Sequence, residues 1–184
     1  VYNINFLNLS LNICFDKFLI MPPAYYKYGD KEVIEYYTKL IKSVPDAKII
    51  LYNFEKLCGY KFSVECVENL AARFPENIIG VKDSSYNLMG NLNIKNFSIL
   101  PGSELKLLSG LKKDCSGIIT ATCNVTAKLA RKVFDDFEQN KEQTVNDKMC
   151  EVRKAFDQFN LISGLHSFLS LTDKQFLNIL PTCS

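Results

Sequence analysis

From Phe18 onward, short apolar runs alternate with segments of helical period, and that alternation restricts the fold more than any other feature of the chain. The runs are Phe18-Leu19-Ile20-Met21, Ile49-Ile50-Leu51-Tyr52, Ile78-Ile79-Gly80-Val81, Phe97 to Leu100, and Gly117-Ile118-Ile119-Thr120-Ala121. Each is too short for a core helix and apolar on both faces, as strands covered on both sides should be. Between the runs, Val33, Ile34, Tyr37, Leu40, Ile41 and Val44 share one helical face, with Asp30 placed to cap it. Val64, Val67, Leu70, Ala71 and Phe74 share another, behind Ser63 as N-cap. Strand and helix alternating in this way predict an α/β fold with parallel strands and crossover helices.

After the fifth run, Val125, Leu129, Val133 and Phe137 predict one helix, and Val145, Met149, Val152, Phe156 and Phe159 a second, longer one. Asn140-Lys141-Glu142 is the turn between them. No repeat or low-complexity linker divides the chain, so one domain is expected: an unassigned segment 1–17, an α/β portion 18–139, and a helical region 140–184 of the same domain.

Composition narrows the function class. At 184 residues, 47% hydrophobic and net charge +2, the chain can bury a sizeable core. Its charges are mixed along the sequence, so no basic stripe suggests nucleic acid or an anionic membrane surface, and a small-molecule ligand is expected. The first twenty-one residues are apolar-rich but interrupted by Asn3, Asn5, Asn8, Asn12, Asp16 and Lys17, which argues against a spanning or export segment. Seven cysteines, at 14, 58, 66, 115, 123, 150 and 183, form no Cys-x-x-Cys pair and read as reduced thiols of a cytoplasmic protein. His166 is the only histidine, so neither a metal site nor a catalytic triad is expected. No cofactor is expected.

Lys82 closes the third run, in Val81-Lys82-Asp83-Ser84-Ser85, and Tyr52 closes the second, in Leu51-Tyr52-Asn53. Parallel α/β folds collect their active groups at strand C-termini, and adjacent parallel strands would set the phenol and the amine side by side. A lysine drawn partly out of water has its ammonium disfavoured, which frees the amine to add to a ketone. A phenol beside it can relay protons. The plainer alternatives are a snorkelling surface lysine and a core tyrosine satisfied locally.

Several strings together resemble the dihydrodipicolinate synthase and N-acetylneuraminate lyase family of Schiff-base lyases. ILYNFEKLCG, ending at Gly59, is similar to the family's tyrosine strand, and IIGVKDSS at 78–85 to its lysine strand. PGSE at 101–104 and SGIITATCNVTAKLA at 116–130 are similar to the last two strands and the following helix. PPAYY at 22–26 resembles the end of the fourth strand, and ISGL at 162–165 and NILP at 178–181 the C-terminal helical region. The likeness spans roughly 18–181, and it implies a partial (β/α)8 TIM barrel, about strands 4 to 8, followed by C-terminal helices. It implies Lys82 as the nucleophile toward pyruvate or a related 2-oxo acid, Tyr52 as proton relay and Tyr25 as the aromatic completing that relay. It also implies that Ile119 contributes backbone to the pyruvate pocket, that Gly102 and Gly117 keep the pocket walls low, and that the protein is a homo-oligomer without a cofactor.

Two departures bear on substrate. Leu57 stands where dihydrodipicolinate synthases place an arginine for the second substrate's carboxylate, and Glu55 replaces a proline. Leucine supplies no cationic fork, which favours an aldol-type substrate, although Lys56 could compensate. Strands one to three and the family's Gly-Thr-Thr-Gly-Glu segment have no counterpart in the chain. Five strands do not close the barrel, and a non-catalytic remnant or binding module is the expectation opposed to a lyase. A dihydrodipicolinate synthase acting on pyruvate and aspartate semialdehyde is the third.

Overall fold

The computed structural model describes residues 2–12 and 15–178. Cys14, Cys183 and the Ile179–Pro181 part of the NILP string lie outside the described residues. The chain divides into two compact units, Val1–Pro101 with Lys113–Ser116, and Gly102–Lys112 with Gly117–Ser184.

The first unit is built on four parallel strands in the order β1 (Lys17–Ile20), β2 (Lys48–Asn53), β3 (Ile78–Asp83) and β4 (Ser98–Pro101). Its helices are α1 (Tyr2–Asn12), α2 (Asp30–Ser43), the single turn α3 (Glu55–Cys58) and α4 (Val64–Arg73). Side chains alternate across the pleat. Phe18 and Ile20, Ile49 and Leu51, Val81, and Ile99 are buried in one core with Val33, Tyr37, Leu40 and Ile41 of α2 and Val67 and Leu70 of α4. Leu19, Ile50, Tyr52 and Lys82 alternate with those residues and remain partly or fully exposed. Apolar runs on both faces predicted cover on both sides, but only one face of these strands is fully buried.

Local chemistry explains most element ends. Ser63 caps α4 as expected, its Oγ accepting from the Cys66 N–H at 2.9 Å. Asp30 does not cap α2. Gly29 holds that position, and its N–H is taken by Glu32 Oε2 at 2.9 Å. The Asp30 carboxylate is engaged elsewhere, accepting from Tyr60 Oη at 2.8 Å and from Ser63 Oγ. Segment 1–17, unassigned from sequence, contains α1, which buries Leu7.

In the second unit, a 3₁₀ turn (Glu104–Lys106) leads into α5 (Leu107–Leu111), followed by α6 (Cys123–Glu138), α7 (Asn146–Phe156), α8 (Leu161–Leu169) and a 3₁₀ turn (Lys174–Leu177). Leu107, Leu111, Ala130, Val133 and Met149 form its core. The fifth expected strand, 117–121, is not a strand. Ser116 N–H still donates to Ile99 O at 2.9 Å, but Gly117 adopts φ +140, far from the strand region, and the ladder goes no further. The helix expected from Val145 through Phe159 is α7, which stops at Phe156, and Asn160 caps the separate helix α8, its Oδ1 accepting from the Ile162 and Ser163 N–H groups. Asn140, with φ +52, ends α6 in the expected turn.

Candidate functional site

The β2–β3 register pairs Tyr52 with Lys82 at the C-terminal ends of both strands. Both side chains lie on the less buried face of the sheet. Lys82 Nζ donates to Tyr52 Oη at 3.0 Å and stands 4.1 Å from the centre of the Tyr52 ring. The ammonium is thus held by the phenol oxygen and by the ring's electron-rich face at once. Phe54 stacks on the same ring, centroids 5.8 Å apart and planes 25° from parallel, which limits how far the phenol can swing.

Beneath the pair lies a buried polar layer that the reading of the sequence missed. Asn53 and Asp83, the residues next along each strand, are fully buried and register-paired. Asn53 Nδ2 donates to Asp83 Oδ1 at 2.8 Å. The available signal was that Asn and Asp close adjacent strands at the same register.

Not all of the expected residues gather there. Tyr25, 91% exposed with φ +89, meets Tyr26 edge-on at 5.0 Å, and among the described residues no hydrogen bond joins it to Lys82 or Tyr52. Leu57 is exposed on α3, a turn ended by left-handed Gly59 at φ +76. Glu55 on that turn pairs with Lys61 at 3.3 Å, and its N–H donates to Ser85 Oγ at 3.1 Å, tying the loops that follow β2 and β3 together. Cys58 is buried, its thiol directed at the Phe54 and Tyr60 carbonyls.

Gly102 and Ile119 belong to the second unit. Next to Ile119, the Thr120 hydroxyl donates to Glu104 Oε2 at 3.1 Å and accepts from Arg153 Nη1 at 3.0 Å. Glu104 is fully buried, receives Thr126 Oγ1 at 2.8 Å and pairs with Arg153 at 3.2 Å. Burial pushes the neighbouring Cys123 thiol up. His166 Nδ1 lies 2.8 Å from the Phe176 carbonyl oxygen. Among the described residues, no group of three or more His, Cys, Asp or Glu side chains could hold a metal ion, and no helix is long and apolar enough to cross a membrane.

A family model described as the dihydrodipicolinate synthetase family matches residues 5–178. The chain belongs to this family. Among its family relatives is the 2-dehydro-3-deoxy-D-gluconate/2-dehydro-3-deoxy-phosphogluconate aldolase of Picrophilus torridus, 26% identical over 151 residues, which cover 79% of this chain and 55% of that protein. The 4-hydroxy-tetrahydrodipicolinate synthase of Acaryochloris marina is 26% identical over 137 residues, or 72% of this chain and 46% of that protein. The chain spans about half the length of the curated relatives it matches. A solved structure of YagE, a family member from E. coli K12 in complex with pyruvate, superposes with TM-score 0.76 at 21% identity, covering 98% of this chain and 64% of that one. The α/β fold with its parallel sheet therefore matches the family's TIM-barrel structures over part of their length.

Proposed function

We propose that this family member is a class I lyase or aldolase in which Lys82 forms a Schiff base with pyruvate or a related 2-oxo acid. The observation that carries the reading is the 3.0 Å hydrogen bond from Lys82 Nζ to Tyr52 Oη at the ends of adjacent parallel strands. In this reading the neutral amine attacks C2 of the keto acid, and the carbonyl oxygen leaves as water after taking up protons. The resulting iminium accepts the electron pair when a carbon–carbon bond at C3 is broken, and releases it when one is formed. Tyr52 stands within reach to carry the protons in each direction. Tyr25 is proposed, from the resemblance alone, to complete that relay. Ile119 and Gly102 are proposed on the same ground to contribute to binding the keto acid.

The four parallel strands are proposed to belong to a (β/α)8 barrel, with 18–139 as the barrel portion and 140–184 as its helical region. Exposed Phe159, Phe168 and Leu171 support a homo-oligomer, and the free thiols of Cys58, Cys66 and Cys115 support a reducing compartment such as the cytoplasm. An aldol-type second substrate is favoured over aspartate semialdehyde, because Leu57 offers an exposed apolar side chain where a carboxylate-gripping synthase needs a guanidinium.

Borohydride reduction in the presence of pyruvate, followed by peptide mass spectrometry, tests the reading. The reduced pyruvyl adduct is expected on Lys82 and lost in Lys82→Ala, with Tyr52→Phe slowing its formation by about 10²-fold. Folded protein with Lys82 unmodified would refute it.

A further inference from the structure

Behind the Lys82–Tyr52 pair, on the opposite face of the sheet, a carboxylate is buried that the chemistry above does not use. Asp83 is fully buried. Its Oδ1 accepts from Asn53 Nδ2 and from the Tyr86 N–H, both at 2.8 Å, and its Oδ2 from the N–H groups of Leu88 at 2.9 Å and Met89 at 3.0 Å. Asn53, equally buried, takes the Phe62 N–H on Oδ1 at 3.1 Å and shares Nδ2 with Asn87 Oδ1 at 2.8 Å. Asn87 then donates to the Phe62 carbonyl at 2.8 Å.

Every hydrogen-bonding site that this layer uses is matched, so it is a built network. Stability alone does not call for it, since well-packed apolar side chains usually serve a core as well as buried charged groups do. What it supplies is register and direction. The β2–β3 ladder already slips between Ile49 and Ile50, so the upstream pairing does not by itself dictate which residues meet at the strand ends. A slip of one residue there would turn Tyr52 or Lys82 to the wrong face. The Asn53–Asp83 bond lies one residue beyond Tyr52–Lys82 and joins the same two strands. The Asp83 carboxylate also collects the 86–89 backbone, closing the loop that leaves Lys82.

We propose that Asn53 and Asp83 are positioning residues for the Schiff-base pair: their buried cross-strand hydrogen bond holds Tyr52 Oη against Lys82 Nζ. The proposal rests on the lyase reading above. The test uses the full chain and the variants Asn53→Ala, Asn53→Asp and Asp83→Asn. Cyanoborohydride-trapped pyruvate adduct at Lys82 is followed against pyruvate concentration, and circular dichroism melts report the fold.

The single Asn53 variants are expected to lower the maximal rate of adduct formation about tenfold while changing the half-saturating pyruvate concentration less than twofold. Asp83→Asn keeps an oxygen for the Asn53 amide and loses only the acceptor of the Leu88 and Met89 N–H groups, so it is expected to stay within about threefold of the parent rate. If Asn53→Ala does not fold, Asn53→Asp against Asp83→Asn decides the matter, because only a positioning role predicts that the variant losing the cross-strand bond is slower than the one keeping it. Folded Asn53 variants that label at the parent rate, or a folded Asp83→Asn as slow as Asn53→Asp, would overturn the brace and leave the lyase reading standing. A parent protein that forms no adduct refutes the lyase reading itself and the brace with it.

Discussion

Gly80→Ala is the substitution whose effect can be worked most directly from the structure. Gly80 pairs with Ser98 where β3 meets β4. A Cβ built there would lie 2.6 Å from the Ser98 carbonyl oxygen, 3.0 Å from Ser98 Cβ and 3.4 Å from the Ser98 carbonyl carbon. Ordinary contact between such atoms is about 3.5 Å, so the strands would have to separate by close to 1 Å. The nearest obstacle is backbone, which cannot rotate away as a side chain could. Overpacking of this kind costs about 1–3 kcal/mol, and an immovable partner puts Gly80 at the upper end. Loss of glycine's freedom in the unfolded chain returns about 0.4–1 kcal/mol.

The expected net loss is about 2 kcal/mol, a fall in Tm of about 4–8 °C for a chain of this length. Urea unfolding followed by circular dichroism should show a lower midpoint with an unchanged m-value. Adding Ser98→Gly removes the contact at 3.0 Å but not the one at 2.6 Å, so the double variant should recover less than half of the loss. A Gly80→Ala variant within about 0.5 kcal/mol of the parent, or full rescue by Ser98→Gly, would refute the argument that β3 and β4 touch here through backbone.

Two further outcomes follow from buried polar groups. Arg153→Met leaves the fully buried Glu104 carboxylate, which the Thr120 and Thr126 hydroxyls also contact, without its cation, and should cost about 3 kcal/mol in urea unfolding. Adding Glu104→Gln should return much of it, and a neutral Arg153→Met would contradict the pairing. Burial pushes the Cys66 and Cys115 thiols from an ordinary 9.0 up to about 11. The folded state therefore keeps protons that the unfolded chain releases, so this contribution is complete below about pH 9 and is lost as pH rises toward about 11. Thermal melts across that range should fall with pH, less steeply in Cys66→Ala/Cys115→Ala, and an unchanged slope would refute the assignment.

What could be read from the sequence was what depends on short-range pattern. Tyr52 and Lys82 were legible because an apolar run announces its own end, and two runs in a β-α-β step bring those ends together. Ser63 was legible as a cap because its partner is three residues away. The failures share the opposite property. The 117–121 segment has strand composition, but Gly117 at φ +140 takes it out of the ladder, and composition does not encode that angle. The period of Val145 to Phe156 continues to Phe159 with no glycine or proline to stop it, yet α7 ends at Phe156 and the Asn160 side chain starts a new helix at Leu161. Segment 2–12, with asparagines at 3, 5, 8 and 12, has weak intrinsic helix propensity, yet α1 buries Leu7.

Asn53 and Asp83 follow the same rule at the site. Both look like turn-formers closing a strand, because the groups that satisfy them, on Phe62, Tyr86, Leu88 and Met89, come from loops whose course only the folded chain defines. The Lys82–Tyr52 pair can thus be found from pattern while its alignment cannot: a lysine and a tyrosine at strand ends need only the right period, but keeping their polar atoms 3.0 Å apart draws on partners brought in by tertiary structure.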